Sequence, residues 1–203
     1  MGRVRAAVRD HPLVVGVVVA YSIGFEAYGF IAHRRGAVAY GAVILVLGVL
    51  IAIAERRVRF SNAVLWGLAA WGFLHLAGGL IPWGDGVLYN ARIGLEPIHY
   101  DRLVHAFGFG VATVACWQGL RHRLDPDARS PAGLVFLVAL MGMGLGALNE
   151  VVEFAAAHTA AGANVGGYEN TGWDLIANMV GCGVAAWWVA RDPARVAARH
   201  PGG

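Results

Sequence analysis

The chain has no lysine, two cysteines and seven prolines in 203 residues, and only 14% of its residues are charged. Each shortage excludes something. Charge so sparse, beside a hydrophobic share of 58%, excludes an ordinary soluble domain. Cys116 and Cys182 both fall within apolar stretches and read as small packing residues, which excludes a disulfide scaffold or a cysteine metal site. There is no phosphate-binding P-loop, no G-x-S-x-G nucleophile elbow, no haem motif, no H-E-x-x-H pair and no nucleic-acid module. Internal repeats and low-complexity tails are absent too, and the all-arginine usage is read as genomic composition without mechanism.

What remains is hydrophobic length. A helix needs roughly 20 mainly apolar residues to cross a bilayer core of about 30 Å. Six stretches qualify: residues 12–31, 37–54, 63–81, 100–120, 131–157 and 173–190. They fill most of the chain, so the fold class expected is all-α, a polytopic bundle of six transmembrane helices forming a single integral membrane domain over 1–203. The first stretch has basic flanks but no small-residue cleavage site after a short apolar core, and is read as a retained anchor.

The arginines assign sides. Arg3, Arg5 and Arg9 precede span 1; Arg56, Arg57 and Arg59 separate spans 2 and 3; Arg121, Arg123 and Arg129 separate spans 4 and 5; Arg191, Arg195 and Arg199 follow span 6. These four segments share one side and hold 12 arginines, whereas the opposite segments hold three, Arg34, Arg35 and Arg92. The positive-inside rule then makes both termini cytoplasmic. Membrane lipids are the expected partners, and nucleic acid is not.

With that orientation the polar residues within the spans collect toward the outer face. Glu26 and His75 lie in the outer halves of spans 1 and 3; Tyr100, Asp101, Arg102 and His105 open span 4; Asn149, Glu150 and Glu153 come late in span 5; Asp174 and Asn178 open span 6. An ionisable group at a bilayer centre costs about 2.5–3.5 kcal/mol on insertion scales, so such groups face protein or trapped water. Helical spacing aligns Asp101, His105, Gly108 and Ala112 on one face, Gly142, Gly146, Glu150 and Glu153 on another, and Asp174, Asn178, Gly181 and Cys182 on a third. Stripes of small residues mark helix contact in membranes, so all three acid-bearing faces should point into the bundle. Loops 82–99 and 158–172 flank the resulting pocket, and the second is expected to be a lid or a re-entrant segment.

The segments Tyr100-Asp101-Arg102-Leu103-Val104-His105, Asn149-Glu150-Val151-Val152-Glu153 and Asn170-Thr171-Gly172-Trp173-Asp174 resemble those of YjdF-like bacterial inner-membrane proteins. Asn170 and Gly172 depart from the Asp and Gln of that pattern. The Asp174, Asn178 and Gly181 spacing is distantly similar to VanZ-like proteins, which are linked to glycopeptide resistance at the cell envelope. The resemblance implies a six-helix bundle in the bacterial plasma (inner) membrane and draws attention to the same residues, without supplying an activity.

Three functional readings follow. In the sharpest, His105, Glu150 and Asp174 are catalytic residues holding a divalent metal ion (Zn, Mn or Mg), with Asp101, Arg102, Glu153, Asn178, Asn149 and Tyr100 as binding residues around them. The metal would activate water against a lipid-linked or envelope substrate. The second is binding or transport of a small polar solute, ion or proton. The third is purely structural: Asp101 or Glu150 pairs with Arg102, and His105 and Asn178 fix helix register.

Overall fold

The computed structural model describes residues 10–34, 36–94, 98–121, 131–159 and 167–191. Arg3, Arg5, Arg9, Arg35, Arg123, Arg129, Arg195 and Arg199 lie outside the described residues, as does the 160–166 part of the expected lid. Six helices carry the fold: α1 (Pro12–Ile31), α2 (Ala37–Val58), α3 (Asn62–Leu80), α4 (Tyr100–Leu120), α5 (Pro131–Thr159) and α6 (Tyr168–Arg191). All six are long and apolar enough to cross a membrane.

Local chemistry sets the helix ends. Pro12 opens α1, where its missing N–H has no intrahelical partner to lose. Ser61 caps α3 by accepting from the Val64 N–H at 3.4 Å. The second helix runs four residues past the expected Ala54, and the buried Glu55 carboxylate finds hydrogen-bond partners there. One of its oxygens lies 2.8 Å from His11 Nε2, and the other accepts the Phe60 N–H at 2.7 Å. The largest correction concerns the last helix, which begins at Tyr168, five residues before the expected Trp173. Asn170, Thr171 and Gly172, expected in a loop, form its first turns. The Thr171 N–H donates to Gly167 O at 3.2 Å, and the Asn170 amide donates along the helix to Asp174 Oδ2 at 2.5 Å.

The fourth helix is central and packs against α3, α5 and α6; α2 is peripheral, with only Ala37 and Glu55 buried along its length. Small residues permit the close approaches. A methyl at Gly181 would overlap the Ala106 carbonyl, one at Gly142 would overlap Thr113 Oγ1, and one at Gly146 would press on the Asn178 amide. Large apolar side chains such as Leu45, Leu50, Phe136, Leu148 and Phe154 point outward, as a surface that meets lipid requires.

Between α3 and α4 a short antiparallel pair, Pro82–Trp83 with Gly86–Val87, turns at Gly84, whose φ of 53° suits glycine. A 3-10 turn, Leu88–Asn90, then lowers Tyr89 onto Gly78, where any side chain would collide with the phenol ring. The Tyr89 hydroxyl hydrogen-bonds His75 Nδ1 at 2.5 Å. Burial pushes the Tyr89 phenol well above its ordinary value, so the group stays protonated. The Tyr100 N–H donates to Ala91 O at 2.8 Å, which fixes where α4 starts.

Candidate metal centre

Seven polar or charged side chains are buried among the described residues: Glu55, His105, Thr113, Gln118, Glu150, Asp174 and Asn178. Three lie away from the loop end and are satisfied. Glu55 has the partners given above, Thr113 donates to Phe109 O at 2.6 Å, and the Gln118 amide exchanges two bonds of 2.9 Å with Ser61. The other four meet in one place, and three of them carry orphaned atoms. Oδ1 of Asp174 and Nδ2 of Asn178 are buried without a hydrogen-bond partner, and the two Glu150 oxygens, though Thr171 and Asn149 are their polar neighbours, make no bond within 3.5 Å. Orphans also occur singly at Ser22, Glu26, Arg34, His75 and Trp117, but buried polar groups are nearly always paired, and here several meet in one place.

His105, on α4, is the hub. Its Nδ1 lies 3.2 Å from Asn178 Oδ1 on α6. An amide oxygen only accepts, so Nδ1 carries the hydrogen and the lone pair of the neutral ring sits on Nε2. That nitrogen faces Asp101 Oδ1 at 3.6 Å and Glu153 Oε1 at 3.9 Å. On the Nδ1 side, Glu150 Oε1 is 3.8 Å away. Two overlapping triads result, Asp101–His105–Asp174 and His105–Glu150–Glu153, each with one ligand atom per residue and all three within 4.8 Å of one another. Donor atoms about 2.0–2.2 Å from a zinc ion lie at most roughly 4.4 Å apart, and the longer bonds of about 2.3–2.6 Å to calcium bring that to about 5 Å. Each triad therefore gathers three potential ligand atoms in one neighbourhood, and binding an ion would draw them closer together.

The geometry treats the expected residues unevenly. His105, Glu150 and Asp174 come together, but Asp101 and Glu153, expected around the ligands, stand as close to the imidazole as Glu150 does. Asn149 supports Glu153, donating from Nδ2 to Oε1 at 2.6 Å. Tyr100 is a tether whose hydroxyl donates to Leu74 O on α3 at 3.1 Å. Arg102 has no salt bridge to Asp101 or Glu150 within 4.0 Å; its guanidinium carbon lies 4.8 Å from the centre of the Trp173 ring. Glu26 is not in either triad, and His75 belongs to the aromatic cluster with Tyr40 and Tyr89. Two residues gain a role that sequence reasoning did not assign. Asn170 holds Asp174, a bond foreshadowed only by their four-residue spacing, and Trp173 carries Arg102.

A six-helix membrane bundle with a buried histidine–carboxylate cluster at one end is the class of protein that this fold and site define. The chain belongs to the family described as "Predicted membrane protein (DUF2238)", whose model matches residues 13–195. No curated protein and no solved structure matches it.

Proposed function

We propose that the chain is a one-domain, multi-pass protein of the bacterial inner membrane that holds a divalent metal ion in its His–carboxylate pocket. In this reading it acts as a metal-assisted enzyme on a lipid-linked or envelope substrate. The observation that carries the proposal is the set of orphaned, buried oxygens on Glu150 and Asp174 beside the His105 imidazole. At an effective dielectric of about 20, two ionised carboxylates no more than 4.8 Å apart repel by about 3 kcal/mol or more. When the four acids near this histidine are ionised, they call for a counter-charge beyond a single arginine. A divalent cation supplies it and fills the lone-pair side of His105. One imidazole among several carboxylates suits Mn, Zn or Mg, and such an ion, once bound, offers Lewis-acid polarisation of a substrate oxygen.

The orientation belongs to the same proposal. Arg56, Arg57, Arg59, Arg121 and Arg191 flank the end away from the cluster, so the positive-inside rule puts the pocket on the extracytoplasmic side with both termini cytoplasmic. The proposed kinship with YjdF-like proteins, and more distantly with VanZ-like envelope proteins through Asp174, Asn178 and Gly181, points the same way.

Enzyme is favoured over transporter by what lies beneath the cluster. Phe109, Ala112 and Cys182 pack directly below it, followed by Val114, Trp117, Val138, Ala186 and Val189. Among the described residues the buried polar side chains in these layers, Thr113 and Gln118, are already bonded to Phe109 O and Ser61, which leaves the layers mainly apolar. Elemental analysis of the detergent-purified protein tests the proposal, with His105→Ala and Glu150→Gln alongside. A stoichiometric divalent metal in the wild type and its loss in both variants is expected. No metal in folded wild-type protein contradicts it.

A further inference from the structure

Arg102 sits one residue after a proposed metal ligand, in a neighbourhood of four carboxylates, and yet pairs with none of them within 4.0 Å among the described contacts. Its Nε and one terminal nitrogen are buried and donate to nothing in the protein. The Trp173 ring, 4.8 Å below the guanidinium carbon, supports the cation without using any of its N–H groups. Arg102 also lines a cavity of about 230 Å³, together with Tyr89, Asn90, His99, Asp101 and Asn170. A space that size has room for several waters or for a small oxyanion and its nearest substituent. Asp101 belongs to both the cavity wall and the first carboxylate triad, so the cavity adjoins the metal centre.

We infer that this cavity takes a phosphate group, held between the guanidinium of Arg102 and the metal ion. The inference rests on the metal reading above and deepens it by naming the substrate class. A guanidinium presents a planar fork of N–H donors that matches phosphate oxygens, and the pairing is strong where water is scarce. A tetrahedral phosphate has oxygens enough to meet the fork and the cation together. Without the cation the carboxylates repel such an anion, so phosphate binding depends on metal. The side-chain amides of Asn90 and Asn170 also line the cavity and suit the remaining oxygens. The phosphate arrives either in water or on a lipid headgroup, and the chemistry at Arg102 is the same for both.

The test uses the full chain in detergent, loaded with Mn²⁺, and reads ³¹P relaxation of two probes, inorganic phosphate and micellar phosphatidic acid. Bound Mn²⁺ shortens the relaxation of any phosphorus held beside it. For at least one probe the wild type is expected to show a saturable effect, and whichever responds identifies the source. Arg102→Gln should weaken that probe's binding by on the order of tenfold or more while Mn²⁺ content is unchanged. Arg102→Lys, which keeps the charge but not the fork, should fall between and covers the case in which Arg102→Gln does not fold. If Mn²⁺ binds and neither probe responds, or both variants bind phosphate as the wild type does, the phosphate inference is overturned and the metal centre stands. If folded wild-type protein takes up no Mn²⁺, both are overturned.

Discussion

His105 on α4 donates through Nδ1 to the amide oxygen of Asn178 on α6 at 3.2 Å, and this bond decides which ring nitrogen offers its lone pair to the carboxylates of Asp101 and Glu153. Metal-binding imidazoles commonly have their second nitrogen fixed in this way. Asn178 is 1% exposed, so no solvent molecule easily replaces its amide oxygen.

Asn178→Ala should therefore lower divalent-metal affinity by about 10–100-fold while the protein still folds. Titration of the purified variant with Mn²⁺, followed by electron paramagnetic resonance of the free ion, measures this. Unchanged affinity would mean that the imidazole needs no orienting partner.

Gly181 and Gly183 make a paired test of the packing. A side chain at Gly181 overlaps the Ala106 carbonyl, whereas one at Gly183 meets nothing within 4 Å. Gly181→Ala should cost about 1–3 kcal/mol, the usual cost of overpacking a tight contact. Gly183→Ala should be neutral in the same thermal denaturation. Equal midpoints for the two would contradict the α4–α6 contact.

Tyr89→Phe removes the partner of His75 Nδ1 and leaves a buried imidazole unsatisfied, at a cost of about 1–3 kcal/mol. Metal content should be unaffected, because His75 is in neither triad. The pH dependence has a definite sign. Burial raises the folded-state value of this phenol, so its contribution is complete below the unfolded value near 10 and is lost as pH rises above it. The stability difference between wild type and Tyr89→Phe should accordingly shrink at alkaline pH.

Topology is tested by thiol labelling. Asp85 lies in the exposed turn at the cluster end, and Arg57 is exposed at the opposite end. A membrane-impermeant maleimide should label Asp85→Cys in cells with an intact inner membrane, and Arg57→Cys only after that membrane is opened. Cys116 and Cys182 lie inside helices and should stay unlabelled in both. The reverse pattern would put the pocket in the cytoplasm.

Six helices were legible from hydrophobic length, and the small-residue stripes already placed His105, Glu150 and Asp174 on inward faces. Spacing along one helix says which side chains share a face, but not how one helix is rotated against the next. For that reason the closeness of Asp101 and Glu153 to the imidazole was not legible. It depends on the separation of α4 and α5, set by contacts between helices such as Thr113 against Gly142. The start of α6 was misplaced because Asn, Thr and Gly at 170–172 favour turns when read locally. The Asn170–Asp174 bond and the stacking of Arg102 on Trp173 give that turn helical work to do. Arg102 itself read as an ion-pair partner for a neighbouring acid, and only three-dimensional geometry reveals it stacked on Trp173 and lining a cavity.

The metal centre stands or falls on one diffraction measurement. Crystals of the full chain grown with Mn²⁺ and measured near the manganese absorption edge should give an anomalous difference peak between His105 Nε2 and the carboxylates of Asp101 and Glu153, absent from His105→Ala. A well-ordered cluster with no anomalous density there, its carboxylates instead hydrogen-bonded to one another through shared protons, would contradict a metal site and return these residues to a structural role.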